Sequence, residues 1–155
     1  RPGCITVRML ESVVGRVELD PSILQKNPEM NFRPKAPGMK YRHYAPEAKL
    51  TIYEGKIDKV VAAINKEVQK RMAEGHSAGI IATDETSSLY QCGLVKSVGT
   101  RKDESSIAAG LYYVLREFDE AHVDYIYSES FDDNSLGQAI MNRLLKAAGY
   151  SVVRI

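Results

Sequence analysis

The distribution of proline constrains the fold of this chain more than any other feature. All six prolines lie within the first 46 residues of the 155-residue chain. Proline removes a backbone donor and is excluded from helix interiors and central strands. Regular secondary structure is therefore expected mainly after about Ala48, with extended chain before it. From this pattern we predict a short helix or strand over 5–14 ending at Gly15, an extended proline-rich linker over 27–48, and a folded domain that begins near residue 49.

The domain alternates β-rich runs with stretches of helical apolar period. Five strands are predicted, over Leu50–Tyr53, Ala78–Ala82, Gln91–Val98, Val123–Tyr127 and Ser151–Ile155. Three helices are predicted between them: one from Ile57 to Met72, one capped by Asp103 that buries Ile107, Leu111, Val114, Leu115 and Phe118, and one from Asn134 or Ser135 to Gly149. Strands joined by helices of this length favour right-handed crossovers and a largely parallel sheet. The fold class is therefore α/β, a Rossmann-like three-layer sandwich with a mainly parallel sheet.

Composition narrows the class of protein further. The two cysteines, Cys4 and Cys92, are too few for a disulfide framework and lack the paired spacing of a metal site. No apolar run is long enough for a membrane span and no leader is present, so a soluble cytoplasmic protein is expected. Because the chain opens at Arg1, we expect a fragment of something longer. Residues 1–49 carry nine basic against five acidic residues, whereas 50–155 carry twelve against fifteen, so the positive charge is concentrated in the front part.

Nucleotide-binding signatures of Rossmann-like domains are missing from the sequence. It contains no G-x-G-x-x-G turn and no P-loop, so classical cofactor binding is not expected. Two acidic runs, Asp84-Glu85 and 129–133, follow predicted strands, where open α/β sheets place ligands. They can in principle hold a hard cation, but the pattern favours solvated loops. We predict no metal site.

The segment from Ala36 to Pro46 carries the most chemical information. In an extended chain Lys40, Arg42 and Tyr44 project to one side, and Met39, Tyr41 and His43 to the other. Two cations and a phenol suit a phosphate or carboxylate, and Arg can bind bidentately. Pro37-Gly38 and Pro46 restrict the backbone, which lowers the entropy cost of ordering the segment over a ligand. The pattern is typical of a lid, but also of a basic linker whose tyrosines dock on the domain.

The same segment closely resembles the interdomain linker of the two-domain L-threonylcarbamoyl-AMP synthases. Other parts of the chain agree: Arg1-Pro-Gly-Cys-Ile5 is similar to the last strand of the YrdC-like catalytic domain of that family. Leu115-Arg-Glu-Phe-Asp119 is similar to its L-R-x-[LF]-D helix end. Gly137-Gln-Ala-Ile-Met-Asn-Arg-Leu144 is similar to its G-x-A-[IV]-x-N-R-[LI] helix. The resemblance covers essentially the whole chain.

The resemblance implies a reaction in which L-threonine, bicarbonate and ATP give threonylcarbamoyl-AMP and pyrophosphate, for modification of adenosine 37 of tRNA. It assigns residues 1–17 to the end of the YrdC-like domain, 18–48 to the linker or lid, and 49–155 to an accessory domain. ATP, Mg²⁺ and threonine are expected in the missing domain, so this chain holds no catalytic residue. Candidates to contact nucleotide, intermediate or pyrophosphate are Lys40, Tyr41, Arg42, His43 and Tyr44.

The expected partners are the YrdC-like domain and the downstream threonylcarbamoyl-transfer machinery, and tRNA contact is left open. Pro37, Gly38, Asn142 and Arg143 are assigned interdomain or structural roles; Arg143 can pair with an acidic loop, and Asn142 can satisfy a backbone group. Two other interpretations remain: a stand-alone α/β module that binds a small ligand or a protein, and a purely structural or oligomerising domain.

Overall fold

The computed structural model describes residues 5, 7–18, 45–131 and 135–155 of the chain. Predictions for residues 1–4 and 19–44, which include nearly all of the linker, lie outside this part. The elements in chain order are α1 (Val7–Val14), β1 (Lys49–Glu54), α2 (Ile57–Ala73), β2 (Ala78–Ala82), β3 (Leu94–Ser97), α3 (Glu104–Glu120), β4 (Tyr125–Glu129), α4 (Ser135–Ala147) and β5 (Val152–Arg154). The ambiguous segment before Gly15 is thus a helix.

The five strands form one sheet in the order β3-β2-β4-β1-β5. Each of the four strand pairs is parallel, which confirms the predicted α/β class. Side chains of α2 pack on one face, against residues such as Ile80 and Tyr127. Side chains of α3 and α4 pack on the other face, against Ile52 and Ile126 among others. The result is the predicted three-layer sandwich with two separate apolar cores.

Helix α3 forms where its capping residue and apolar period predict it. The Asp103 side chain accepts a hydrogen bond from the Ser105 amide, which satisfies one of the free donors of the first turn. All five residues predicted for its apolar face are buried. Phe118 lies so close to β2 that a Cβ on Gly79 would stand 2.5 Å from its ring. A glycine in the middle of this buried strand is therefore required by the helix above it.

Two predicted strands differ from those in the structure by more than one residue at an end. The run Gln91–Val98 forms a strand only from Leu94, because Gly93 adopts a φ of 85° and breaks the extended backbone. The connection from β2 to β3 contains a short 3-10 turn, Ser87–Leu89, instead of a long helix. The fourth strand covers Tyr125–Glu129 and not Val123–Tyr127, because its pairing with β1 begins at Tyr125. This shift brings Glu129 into the sheet.

The parallel arrangement gives the sheet two chemically different edges. The linker reaches the domain at the amino edge, where β1 begins, next to the carboxyl-terminal ends of α3 and α4. The loops that follow the strands meet at the opposite, carboxyl edge, where open α/β sheets place their ligands. None of the helices in the described ranges has the length and apolar character needed to span a bilayer.

Candidate functional site

The end of the linker is fixed to the amino edge of the sheet. The sequence-predicted residues Pro37, Gly38, Lys40, Tyr41, Arg42, His43 and Tyr44 lie outside the described residues, which resume at Ala45. Pro46 is buried, and the Glu47 amide donates to Asp119 Oδ1 at 2.8 Å. Ala48 packs against the core beneath α3 and α4, and the Lys49 amide donates to the Asp124 carbonyl at 3.1 Å. Four consecutive residues are thus held at the point where the lid segment ends.

Asp119 is itself held by a neighbour one turn earlier on α3. Arg116 Nη1 lies 3.0 Å from Asp119 Oδ2, so the two carboxylate oxygens serve different partners. The Arg116 guanidinium also stands 5.7 Å from the centre of the Tyr112 ring. Tyr112, Arg116 and Asp119 follow each other at helical spacing and form one stripe on α3. We call these three residues the α3 stripe.

A second set of hydrogen bonds at the amino edge connects the start of β2 to the start of β4. Asp124 accepts from the Ser77 amide at 2.8 Å and from the Ser77 hydroxyl at 2.9 Å. These bonds favour the ionised carboxylate and hold the pKa of Asp124 below its usual range. The backbone carbonyl of Asp124 also accepts a hydrogen bond from the Lys49 amide. The start of β1 is thereby connected through Asp124 to the turn after α2.

The two residues singled out on α4 are placed differently from each other. Asn142 is half-buried, whereas Arg143 is exposed and forms no ion pair with any residue in the described ranges. A polar contact between α3 and the start of α4 is made by Glu104, whose Oε2 accepts from the Gly137 amide at 3.0 Å. The suggested pairing of Arg143 with an acidic loop is therefore not seen in this part of the chain.

A buried polar network occupies the carboxyl edge. Glu129 is 0% exposed, and its two oxygens accept from the Tyr90 hydroxyl at 2.7 Å and from Arg101 Nη2 at 2.6 Å. The same nitrogen of Arg101 donates to the Ser130 carbonyl at 3.2 Å. Burial, followed by the charge of Glu129, raises the pKa of Tyr90, so its hydroxyl stays protonated and donates. The network therefore connects three loops that are distant in sequence, those containing Tyr90, Arg101 and Ser130.

Glu85 extends this network to the loop after β3. Its carboxylate accepts from the Thr100 hydroxyl and from the Arg101 amide, the latter at 3.0 Å. These bonds, led by that of Thr100, lower the pKa of Glu85 to about 2. Glu85 and Glu129 therefore contact the same arginine, and no cluster of three or more potential metal ligands is found in the residues described. The interpretation of Glu129 as part of a solvated loop is wrong, because the strand continues through it.

Arg101 and Tyr90 were not recognised from the sequence as partners of Glu129, because both are far from it along the chain. Their separations from it are 28 and 39 residues. The signal available in the sequence was an arginine, Arg101, in the loop after one strand and a glutamate, Glu129, at the end of another. The order of parallel strands, which brings these ends together, was not contained in the local pattern.

Lowering the pH should weaken the fold, in part through Glu85. Its pKa is lower in the folded chain than when unfolded, so the unfolded state binds more protons in acid. The stabilisation is present above about pH 4.3 and is lost as the pH falls towards 2. We expect Glu85→Gln to flatten the dependence of urea midpoint on pH between 4.5 and 2.5. Glu120→Gln, at an exposed position, is the matched control, and equal slopes for the two variants would contradict the assignment.

Two helix-start amides at the carboxyl edge are already used by side chains of the domain. Amides at the starts of helices are the usual phosphate donors. Here the Ser105 amide of α3 is used by Asp103, and the Gly137 amide of α4 by Glu104. Arg101, a cation at this edge, is paired with Glu129. The network therefore connects the loops of this edge to one another.

The chain is similar to known proteins along nearly its whole length. The family profile described as "Threonylcarbamoyl-AMP synthase, C-terminal domain" matches residues 5–149. The chain is 44% identical over 154 residues to the threonylcarbamoyl-AMP synthase of Bacillus subtilis, covering 99% of this chain and 42% of that relative. It is 37% identical over 155 residues to the enzyme of the same name from Pyrococcus abyssi, covering 100% of this chain and 43% of that relative. The chain thus spans about two fifths of their length.

Solved structures give the same result. The crystal structure of P. abyssi Sua5 complexed with L-threonine matches with a TM-score of 0.82 and 35% identity, covering 100% of this chain and 43% of that one. The isolated C-terminal Sua5 domain from Pyrococcus horikoshii matches with a TM-score of 0.58 and 31% identity, covering 72% of this chain and 100% of that one. The chain therefore belongs to the family of threonylcarbamoyl-AMP synthase C-terminal domains.

Proposed function

We propose that this chain is the accessory domain and active-site linker of an L-threonylcarbamoyladenylate synthase. The full-length enzyme converts L-threonine, bicarbonate and ATP into threonylcarbamoyl-AMP and pyrophosphate. Family membership along nearly the whole chain is the observation that carries the proposal. The product serves the modification of adenosine 37 of tRNA in the cytoplasm, and the enzymes that transfer the threonylcarbamoyl group are the downstream partners.

Each of the three parts of the sequence has its own role in the proposed enzyme. Residues 1–17 complete a YrdC-like domain that binds ATP, Mg²⁺ and threonine, and residues 18–48 cross the mouth of its active site. Helix α1 fits this assignment, since its apolar residues Met9, Leu10 and Val13 are exposed and none of its residues is buried. A catalytic domain ahead of it would cover such a surface. Residues 49–155 then hold the far end of the linker.

The linker supplies the charges that the reaction requires. Lys40, Arg42 and the hydroxyl of Tyr44 are the groups proposed to contact the phosphates or the leaving pyrophosphate, and Tyr41 and His43 to pack on the opposite side. Charge-assisted hydrogen bonds from fixed donors stabilise negative charge as the bond to pyrophosphate breaks. The anchoring of residues 46–49 supports this role, because a lid with one fixed end loses less entropy when it closes. Pro37, Gly38, Asn142 and Arg143 are assigned to interdomain support.

Binding and activity measurements on three proteins test the proposal. We expect the two-domain enzyme to release pyrophosphate from ATP only when threonine and bicarbonate are present. The 155-residue chain alone should release none and should show no heat of ATP binding in calorimetry. The two-domain enzyme lacking residues 50–155 should bind ATP but react more slowly, because the linker has lost its anchor. Tight ATP binding by the 155-residue chain alone would contradict the proposal and favour a stand-alone binding module.

A further inference from the structure

The α3 stripe connects the linker to the domain through a contact that spans much of the chain. The Glu47 amide and the Asp119 carboxylate are separated by 72 residues, yet their atoms lie 2.8 Å apart. Arg116 binds the other oxygen of the same carboxylate, so the side chain cannot rotate without breaking one bond. The Asp119 side chain is only 15% exposed, which limits exchange of these bonds with water.

The local sequence explains why this helix end can serve as an anchor. Leu115 and Phe118 are buried and hold the last turns of α3 on the sheet. Arg116 and Asp119, three residues apart, therefore face away from the sheet and toward the incoming linker. The run Leu115-Arg-Glu-Phe-Asp119 combines two functions: its apolar pair fixes the helix and its charged pair fixes the chain that enters β1.

We infer that Asp119, oriented by Arg116, is a positioning residue for the linker in the proposed synthase reaction. An extended chain spans at most about 3.5 Å per residue, so Tyr44 stays within about 10 Å of Glu47 wherever it acts. The place where Asp119 holds Glu47 therefore limits where Tyr44 and Arg42 can reach. Small errors in the position of groups around a reacting centre cause large losses of rate. This inference rests on the proposed function of the linker.

A purely structural role for Asp119 predicts a different outcome. If Asp119 only stabilised the end of α3, its loss would lower the unfolding midpoint and leave the linker and the reaction unchanged. If it positions the linker, its loss changes turnover and the accessibility of the linker at constant fold.

The test compares Asp119→Ala, Asp119→Asn and Glu120→Ala in the two-domain enzyme. We expect Asp119→Ala to lower kcat/KM for threonine-dependent pyrophosphate release about 10-fold, mainly through kcat, at a temperature where the variant is still fully folded. Trypsin should also cleave the enzyme several-fold faster after Lys40 or Arg42. Asp119→Asn keeps an oxygen that can accept from the Glu47 amide and should recover most of the loss. Glu120→Ala, on an exposed position of the same turn, should behave as the wild type.

Two outcomes overturn the inference. The first is an Asp119→Ala enzyme with unchanged kcat/KM and unchanged cleavage of the linker. The second is a loss of activity that follows a lowered unfolding midpoint and is not recovered by Asp119→Asn. Arg42→Ala separates this inference from the proposed function: if Arg42→Ala is impaired while Asp119→Ala is not, only the positioning role fails. If Arg42→Ala and Tyr44→Ala are both fully active, the lid itself is wrong.

Discussion

Replacing Arg42 with alanine in the two-domain enzyme is expected to lower kcat/KM for pyrophosphate release roughly 10- to 150-fold. A hydrogen bond from a charged donor contributes about 1.5 to 3 kcal/mol, and each 1.36 kcal/mol corresponds to a factor of ten in rate. Arg42→Lys keeps the charge but loses the planar pair of donors, so it should recover only part of the activity. The measurement is steady-state release of pyrophosphate at varied ATP and threonine.

Two further variants define what the neighbouring residues contribute. Tyr44→Phe keeps the ring and removes the hydroxyl, and it separates hydrogen bonding from packing. Lys35→Ala, a basic residue of the linker just before the Ala36–Pro46 segment, is the matched control for loss of positive charge and should leave kcat/KM nearly unchanged. Full activity of both Arg42→Ala and Tyr44→Ala would show that the segment is a solvated linker and not a lid.

Replacing Arg101 with methionine is expected to destabilise the 155-residue chain by about 3 kcal/mol. Loss of one partner of a buried ion pair typically costs about 3 to 5 kcal/mol, because the remaining charge has no compensation. Glu129 is 0% exposed, whereas the Arg101 side chain is 31% exposed, so water can replace part of the guanidinium. The expected loss of unfolding free energy therefore lies at the lower end of this range. Urea unfolding followed by circular dichroism gives the free energy directly.

A double variant tests whether uncompensated charge is the cause. Arg101→Met combined with Glu129→Gln removes both charges and keeps an acceptor for the Tyr90 hydroxyl. We expect it to recover more than half of the stability lost in Arg101→Met. Arg101→Lys should fall between wild type and Arg101→Met, since it keeps the charge but its shorter side chain does not place a donor where Nη2 contacts both Glu129 and Ser130. A double variant no more stable than Arg101→Met would show that the loss comes from packing instead.

Local sequence pattern was sufficient for the three helices of the domain and for the class of the fold. The five residues predicted to line the buried face of α3 are the five that are buried, because apolar period and an N-cap act within one helix. Ala78–Ala82 was predicted with both of its ends correct. Strand ends were less predictable where pairing decides them: Glu129 belongs to β4 because its neighbour in β1, Tyr53, continues the ladder.

By itself, the sequence determined where regular structure begins, which elements follow, and which segment resembles the linker of a known enzyme family. Only the tertiary structure decided which distant residues meet: Glu47 with Asp119 at the amino edge, and Glu129 with Tyr90 and Arg101 at the carboxyl edge. The reason is physical. Helical period and proline act over a few residues, whereas these contacts depend on the order β3-β2-β4-β1-β5. That order is set by packing of the whole domain, so no local pattern contains it.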